Sequence, residues 1–165
     1  MKPTVYVETS VISYLAARPS RDLVVAARQA ITRDWWENQR RRFELRISTL
    51  VEEEISDGDA LAAARRLSWV SDIPSLSITD EANLIARLLI SKGTVPAGSE
   101  EDALHIGIAA SQGAEYLLTW NFRHMNNAET KDAIASIIRL NGYECPRLCS
   151  PEELGGKNDV SRPDC

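Results

Sequence analysis

The spacing of apolar residues along the chain changes repeatedly between a period typical of β-strands and a period typical of α-helices. Short apolar or alternating runs predict strands at 4–7, 43–48, 73–78, 116–119 and 145–149. Apolar residues three and four positions apart predict helices at 11–17, 22–41, 49–55, 60–67, 80–91, 100–112 and 128–140, with one more helical turn at 150–153. Strands that alternate with helices indicate an α/β fold, in which a mostly parallel, twisted sheet of about four to five strands is flanked by helices.

Capping residues mark several of these boundaries. Thr79 is expected to cap the helix that follows it. Ser99 and Asp102 fit a capping box, with the acid at the third helical position. The helix at 100–112 is apolar on nearly every side, so we expect it to lie deep in the fold. Pro74 predicts that its strand is an edge strand or begins there.

Four polar residues follow predicted strands or begin the next helix. Glu8 ends the first strand, Glu54 lies one turn into the helix after the second, Asp102 begins the deep helix, and Asn121 follows the strand at 116–119. In a parallel sheet, ligands bind beyond the carboxyl ends of the strands, so these four side chains are expected to converge there. Two carboxylates ~4 Å apart repel by about 4 kcal/mol at an effective dielectric constant of 20, which predicts a neutralising cation. Oxygen ligands suit Mg²⁺ or Mn²⁺, which organise the attack of water on a phosphodiester.

Each of these four residues also has a structural interpretation. Asp102 fits a capping acid, Glu54 is one of three consecutive glutamates that would form a solvated helix face, and Asn121 fits a turn. Glu8 is the hardest to explain structurally, because it terminates what should be a central strand.

Two histidines and several arginines are further candidates. His105 is on the same helix face as Asp102, and His124 is in the loop after the strand at 116–119. Each histidine is either a hydrogen-bonded structural residue or part of a mixed carboxylate–histidine site for Mn²⁺, Fe²⁺ or Zn²⁺. Arg123 is a phosphate contact or a plain loop charge. Arg40–Arg41 either contact phosphates or complement the helix dipole.

Length, charge and cysteine content restrict the class of protein. The 165 residues fit one domain, expected at 1–154, with 155–165 as a disordered tail. The net charge of −5 argues against a general nucleic-acid coat protein, but it is compatible with a local basic patch. No run approaches the roughly 18 apolar residues of a membrane span, and no apolar signal segment is visible, so we expect a cytoplasmic protein. The three cysteines are expected to be reduced thiols.

Four short motifs resemble, in order and spacing, those of PIN-domain nucleases, the family that supplies the toxin of bacterial and archaeal VapBC toxin–antitoxin pairs. They are Val7–Ser10, Ile47–Ile55, Asp102–Ile106 and Leu117–Asn121. The resemblance extends from residue 4 to about residue 154, and the four motifs together are more specific than any one of them.

The resemblance implies a PIN-like fold and a Mg²⁺- or Mn²⁺-dependent endoribonuclease that hydrolyses RNA phosphodiester bonds, forms a homodimer and is inhibited by a cognate antitoxin. It implies that the catalytic residues are Glu8, Glu54, Asp102 and Asn121, of which the three acids hold the metal. The supporting residues would be Ser10, Thr119 and His105. The candidate RNA contacts are Arg123, His124, Arg40 and Arg41.

Two positions depart from the family pattern. The first acid is usually aspartate and here is Glu8, which is one methylene longer; the fourth position is often aspartate and here is the uncharged Asn121. These departures motivate an alternative, a catalytically weak PIN-like module that binds RNA or protein. A small-molecule phosphatase on a similar sheet is disfavoured, because it would need an early aspartate as nucleophile where Glu8 stands.

Overall fold

A computed structural model describes residues 1–156 and shows the predicted alternation of strands and helices. In chain order the elements are β1 (Thr4–Val7), α1 (Thr9–Ala16), α2 (Leu23–Asp34), β2 (Glu44–Ser48), α3 (Thr49–Ile55), α4 (Ala60–Trp69), β3 (Ser75–Leu76), α5 (Asp80–Ser91), α6 (Glu100–Ser111), β4 (Tyr116–Leu118), α7 (Lys131–Leu140) and β5 (Arg147–Cys149). The expected disordered tail falls largely on 157–165, which lie outside the described residues.

The five strands form one parallel sheet in the order β3-β2-β1-β4-β5. Strand β1 is central, and its Tyr6 pairs with Arg46 of β2 on one side and Leu117 of β4 on the other. Because every strand runs the same way, all the carboxyl ends lie at one edge of the sheet, which we call the carboxyl edge. The predicted α/β architecture is confirmed.

The helix predicted at 22–41 changes type along its length. The α-helical part ends at Asp34, a π-helical turn covers Trp35–Gln39, and a 3₁₀ turn covers Arg40–Arg42. Trp35 and Trp36 are both buried, although consecutive residues of an α-helix point about 100° apart. The wider π turn lies where the two indoles enter the core together.

Helix α6 lies deep in the fold, as its apolar sequence predicts. Seven of its residues are buried, and it crosses α5 at Gly107. A Cβ atom at Gly107 would lie 2.3 Å from the carbonyl oxygen of Ala82 on α5, so only glycine allows the two helices to approach this closely.

Several predicted boundaries differ from those observed. Thr79 caps α5 by accepting a hydrogen bond from the Ala82 amide at 3.2 Å, but the Ser99 side chain makes no capping bond, so the predicted capping box is wrong. The strand predicted at 73–78 is reduced to two residues at the edge of the sheet, as expected beside a proline. The last predicted helical turn, at 150–153, is a turn without helix. None of the helices described is long and apolar enough to span a membrane.

Candidate functional site

Glu8 lies at the carboxyl end of the central strand and is the N-cap of α1. Its Oε2 accepts hydrogen bonds from the Ser10 amide at 2.7 Å and the Thr119 hydroxyl at 3.2 Å. Ser10 Oγ in turn accepts a hydrogen bond from the Trp120 amide at 2.9 Å. Glu8 is 5% exposed, so the loops after β1 and β4 enclose an almost completely buried carboxyl group.

The surroundings of Glu8 make its ionisation costly. Burial raises the pKa of the Glu8 carboxyl, and the nearby Glu54 carboxylate adds to the shift. Attraction to His105 and the hydrogen bonds from Ser10 oppose this rise without cancelling it. Among residues 1–156, Glu8 has no lysine or arginine partner. A cation bound beside Glu8 would therefore favour its ionised form.

Glu54 is held by His105 and Thr9. The His105 Nε2 atom lies 2.5 Å from Glu54 Oε1, and the Thr9 hydroxyl donates to the same oxygen at 2.8 Å. Partial burial alone would raise the pKa of Glu54, but its hydrogen bonds with His105 and with the Thr9 hydroxyl lower the pKa. Of the three consecutive glutamates, Glu54 is the one that these contacts direct to the carboxyl edge.

A hydrogen-bonded chain connects Glu54 to the interior through Tyr6. The Tyr6 hydroxyl lies 2.7 Å from His105 Nδ1 and 2.8 Å from Ser48 Oγ, which accepts from the Val51 amide at 3.2 Å. Each side chain in this series has a hydrogen-bond partner for its polar hydrogen when Ser48 donates to Tyr6, Tyr6 donates to His105 Nδ1, and His105 Nε2 donates to Glu54. Burial raises the pKa of Tyr6, which therefore keeps its proton. We call Ser48, Tyr6, His105 and Glu54 the buried relay.

Tyr6 and Thr9 are not among the site residues that the sequence predicts. Tyr6 carries a recognisable signal, because a tyrosine in the middle of a buried strand needs a partner for its hydroxyl. The partner itself, His105, is 99 residues away along the chain, and no sequence spacing identifies it. The structure gives His105 the hydrogen-bonded role that was one of its two predicted interpretations.

Asp102 and Asn121 organise a second part of the carboxyl edge. Asp102 Oδ2 lies 2.7 Å from His124 Nδ1. The Asn121 side-chain oxygen accepts hydrogen bonds from the backbone amides of Arg123 at 3.1 Å and His124 at 2.9 Å. Asn121 therefore shapes the turn that brings His124 to Asp102.

The structure does not bring all the predicted residues together. Arg40 and Arg41 precede β2 and so lie at the amino edge of the sheet, opposite Glu8. Arg40 forms an ion pair with Asp72 at 2.8 Å, and its guanidinium lies 4.6 Å from the centre of the Trp36 ring. Neither arginine is part of the site at the carboxyl edge.

The donor chemistry of this edge fits a hard divalent cation, although the carboxylates are not gathered around one point. Both nitrogens of His105 are engaged, which leaves the oxygens of Glu8, Glu54 and Asp102 and the Nε2 atom of His124 as the available donors. Glu8 Oε1 accepts no hydrogen bond from residues 1–156. Within the same residues, no three histidine, cysteine, aspartate or glutamate side chains are close enough to share a metal ion.

Among known proteins, solved structures share the fold of this chain, whereas sequence comparisons find no match. No protein-family model and no curated protein matches the sequence. The structure is similar to VapBC2 from Rickettsia felis bound to a DNA fragment from their promoter, with a TM-score of 0.53 and 12% identity over 89% of this chain and 98% of that one. It is similar to DNA-bound VapBC from Salmonella typhimurium, with a TM-score of 0.53 and 17% identity over 92% and 99% of the two chains. It is also similar to Mycobacterium tuberculosis VapC20, a sarcin–ricin loop cleaving toxin, with a TM-score of 0.52 and 18% identity over 68% and 86%.

At these sequence identities the likeness establishes the fold. The chain has the α/β PIN-like fold of the VapC proteins, in agreement with the resemblance carried by the four sequence motifs.

Proposed function

We propose that the chain is a metal-dependent endoribonuclease and the toxin of a toxin–antitoxin pair. The observation that carries this proposal is Glu8, an almost completely buried carboxyl group at the end of the central strand, beside the Glu54 carboxylate and without a lysine or arginine partner among residues 1–156. Stability alone disfavours such a group, since burial opposes its charge, whereas a cation-binding site needs it. The PIN-like fold supports the same conclusion.

In this proposal Glu8, Glu54 and Asp102 hold Mg²⁺ or Mn²⁺. The three carboxylates are not close enough to share one ion as the structure stands, so metal binding requires them to move towards one another. When bound, the cation polarises a phosphoryl oxygen and lowers the pKa of the attacking water. The remaining side chains orient the three acids. Ser10 and Thr119 hold Oε2 of Glu8, so that its other oxygen is available. His124 holds one oxygen of Asp102.

Asn121 has a positioning role in this scheme. Its oxygen already accepts two backbone hydrogen bonds, so it acts through the loop that places His124 and not as a metal ligand. Glu8, which has one methylene more than aspartate, is the N-cap of α1, and the Ser10 amide fixes its carboxyl group.

The partner proteins follow from the structural neighbours and from the surface. Two of the neighbours are VapBC complexes, which supports a cognate antitoxin as the partner, and we include a homodimer in the proposal. Leu23, Val24 and Leu61 are 87%, 59% and 73% exposed on α2 and α4, two helices that pack against α1. Burial of these side chains against an antitoxin would remove apolar surface from water. Co-purification with the product of an adjacent small reading frame, and its loss on Leu61→Asp, would test this part.

The nuclease proposal is tested by cleavage of a mixture of structured and unstructured RNAs by the purified protein. We expect cleavage with Mn²⁺ or Mg²⁺ and none after chelation. Asp102→Asn should abolish cleavage, because it removes one of three charges that neutralise the metal. Asp132→Asn is the matched control, since Asp132 lies in the first turn of α7 as Asp102 lies in the first turn of α6. Equal cleavage by Asp102→Asn and by the unmodified protein would refute the assignment.

Calorimetric titration with Mn²⁺ separates the nuclease from the alternative, a PIN-like module that binds RNA or protein with little catalysis. The nuclease requires Mn²⁺ binding that Glu8→Gln weakens by at least tenfold. Absence of both metal binding and cleavage in a folded protein would favour the binding module.

A further inference from the structure

The loop that follows Thr119 carries an aromatic and cationic cluster directly beside the carboxyl edge. The Arg28 guanidinium carbon, on α2, lies 5.4 Å from the centre of the Trp120 ring and 5.3 Å from that of Phe122. Arg28 also donates to the Tyr14 hydroxyl at 3.4 Å. We call Arg28, Tyr14, Trp120 and Phe122 the Arg28 cluster.

One half of the cluster, Trp120 and Tyr14, is held in place by buried contacts. The Trp120 ring is 5% exposed, its indole Nε1 donates to the Thr32 hydroxyl at 2.8 Å, and its backbone amide donates to Ser10. Tyr14 packs edge-on against Trp120, with ring centres 5.8 Å apart. Because Ser10 also donates its amide to Glu8, the position of Trp120 is tied to that of the candidate metal ligand.

The other half of the cluster is open to solvent. Phe122 is 39% exposed, although its ring packs at 82° against Trp120 at a centre-to-centre distance of 6.0 Å. Arg28 is half-buried, and among residues 1–156 it forms no ion pair with a carboxylate. The cluster therefore presents a ring and a guanidinium whose charge is not balanced locally.

The two sides of the carboxyl edge differ in charge. On the Glu54 side, an open groove of about 800 Å³ between α3 and α6 is lined by five acids, namely Glu53, Glu54, Asp57, Glu100 and Glu101. Such a groove repels the phosphates of a nucleic acid. Phe122 is three residues from Thr119, so their Cα atoms are at most about 11 Å apart. An RNA strand bound at Glu8 is thus favoured to continue over the Arg28 cluster.

We propose that the Arg28 cluster binds a nucleotide of single-stranded RNA that flanks the cleaved bond, with its base stacked on Phe122 and its phosphate on Arg28. The proposal rests on the nuclease function proposed above. Aromatic stacking requires an unstacked base, so the substrate class is single-stranded or looped RNA in preference to a continuous duplex. Arginine suits the phosphate because its planar fork of donors remains available while it contacts the rings.

Fluorescence anisotropy of a labelled single-stranded RNA, measured with the full chain in chelator, tests binding without cleavage. Phe122→Ala should weaken the affinity by between about 5-fold and 150-fold, whereas Phe122→Trp should keep it within about threefold. Arg28→Gln should reduce the slope of log affinity against log salt by about 0.7, and Phe122→Ala should leave that slope unchanged. Leu140→Ala, at an apolar residue that is 85% exposed on α7, is the control.

The outcomes distinguish this proposal from the nuclease proposal. RNA binding that depends on Phe122, without cleavage in Mn²⁺, would support the cluster as an RNA site and count against the nuclease. Cleavage by the unmodified protein with unchanged affinity and KM in Phe122→Ala would overturn the Arg28 cluster alone. Absence of single-stranded RNA binding by the unmodified protein would also overturn it, as would an effect of Phe122→Ala on antitoxin binding only.

Discussion

Replacement of Tyr6 by phenylalanine removes a single oxygen atom from the centre of the buried relay. Tyr6 is 0% exposed, and its hydroxyl contacts Ser48 Oγ at 2.8 Å and His105 Nδ1 at 2.7 Å. The aromatic ring remains, so the variant creates almost no cavity. It does leave two buried polar atoms short of a partner, although Ser48 keeps its hydrogen bond from the Val51 amide.

The expected loss of stability follows from these two contacts. A buried polar group without its partner costs about 1–3 kcal/mol, and Ser48 is partly compensated, so the free energy of unfolding should fall by about 2–4 kcal/mol. That is a large part of the roughly 5–15 kcal/mol that stabilises a typical domain. For a chain of this size the melting temperature should fall by roughly 4–16 °C.

Urea unfolding followed by tryptophan fluorescence measures this loss, with Tyr143→Phe as the control because Tyr143 lies outside the relay and is half-buried. The control should change the free energy by less than about 0.5 kcal/mol. Nitrogen chemical shifts of His105 should show the Nε2-protonated tautomer in the unmodified protein, and the preference should weaken in Tyr6→Phe. A loss below about 0.5 kcal/mol with an unchanged tautomer would refute the relay.

Three further predictions concern burial and close packing. Glu8→Gln should stabilise the metal-free protein at neutral pH by about 1.4 kcal/mol for each unit by which folding raises the Glu8 pKa. Because folding raises the Glu8 pKa, the contribution of the protonated carboxyl group to stability is fully present below the unfolded-state pKa and is lost as the pH rises through the folded-state pKa. Urea curves of the two proteins should therefore converge in acid, and a constant difference would contradict this. Gly107→Ala should destabilise by about 1–3 kcal/mol, because its Cβ would lie 2.3 Å from the Ala82 oxygen, and an unchanged melting temperature would contradict that clash. Burial raises the thiol pKa of Cys145 to about 11 and of Cys149 to about 12, so site-resolved mass spectrometry should find both alkylated much more slowly in the native protein than in urea, and equal rates would count against their burial.

The sequence predicted the architecture well because the signal for each element is local. The alternation of strand and helix periods identifies a parallel sheet, and the carboxyl edge of that sheet follows from its topology. The positions of Glu8, Glu54 and Asp102 relative to the strand ends were predicted in this way. The catalytic and metal-binding roles of these residues remain predictions.

Contacts between segments that are distant in the sequence were harder to predict. Asp102 fitted a capping box by spacing, yet its partner is His124, 22 residues away. Arg40 and Arg41 are an obvious basic pair in the sequence, but the 3₁₀ turn places them at the amino edge. No sequence pattern marks Arg28 as a candidate residue, because it is an isolated arginine in a helix. Only the packing of α2 against the loop after β4 places it beside Phe122.

The sequence by itself determined the α/β class, the order of the elements and the presence of an acid at the end of the central strand, because periodicity and capping depend on residues within a few positions of one another. Tertiary structure alone decided what surrounds that acid. The almost complete burial of Glu8, the contact of Tyr6 with His105 and the position of the Arg28 cluster all depend on segments roughly 100 residues apart meeting at one edge of the sheet. The pKa of Glu8 is a property of that enclosure, because burial is the main cause of its rise and the opposing contacts include His105, from a distant helix.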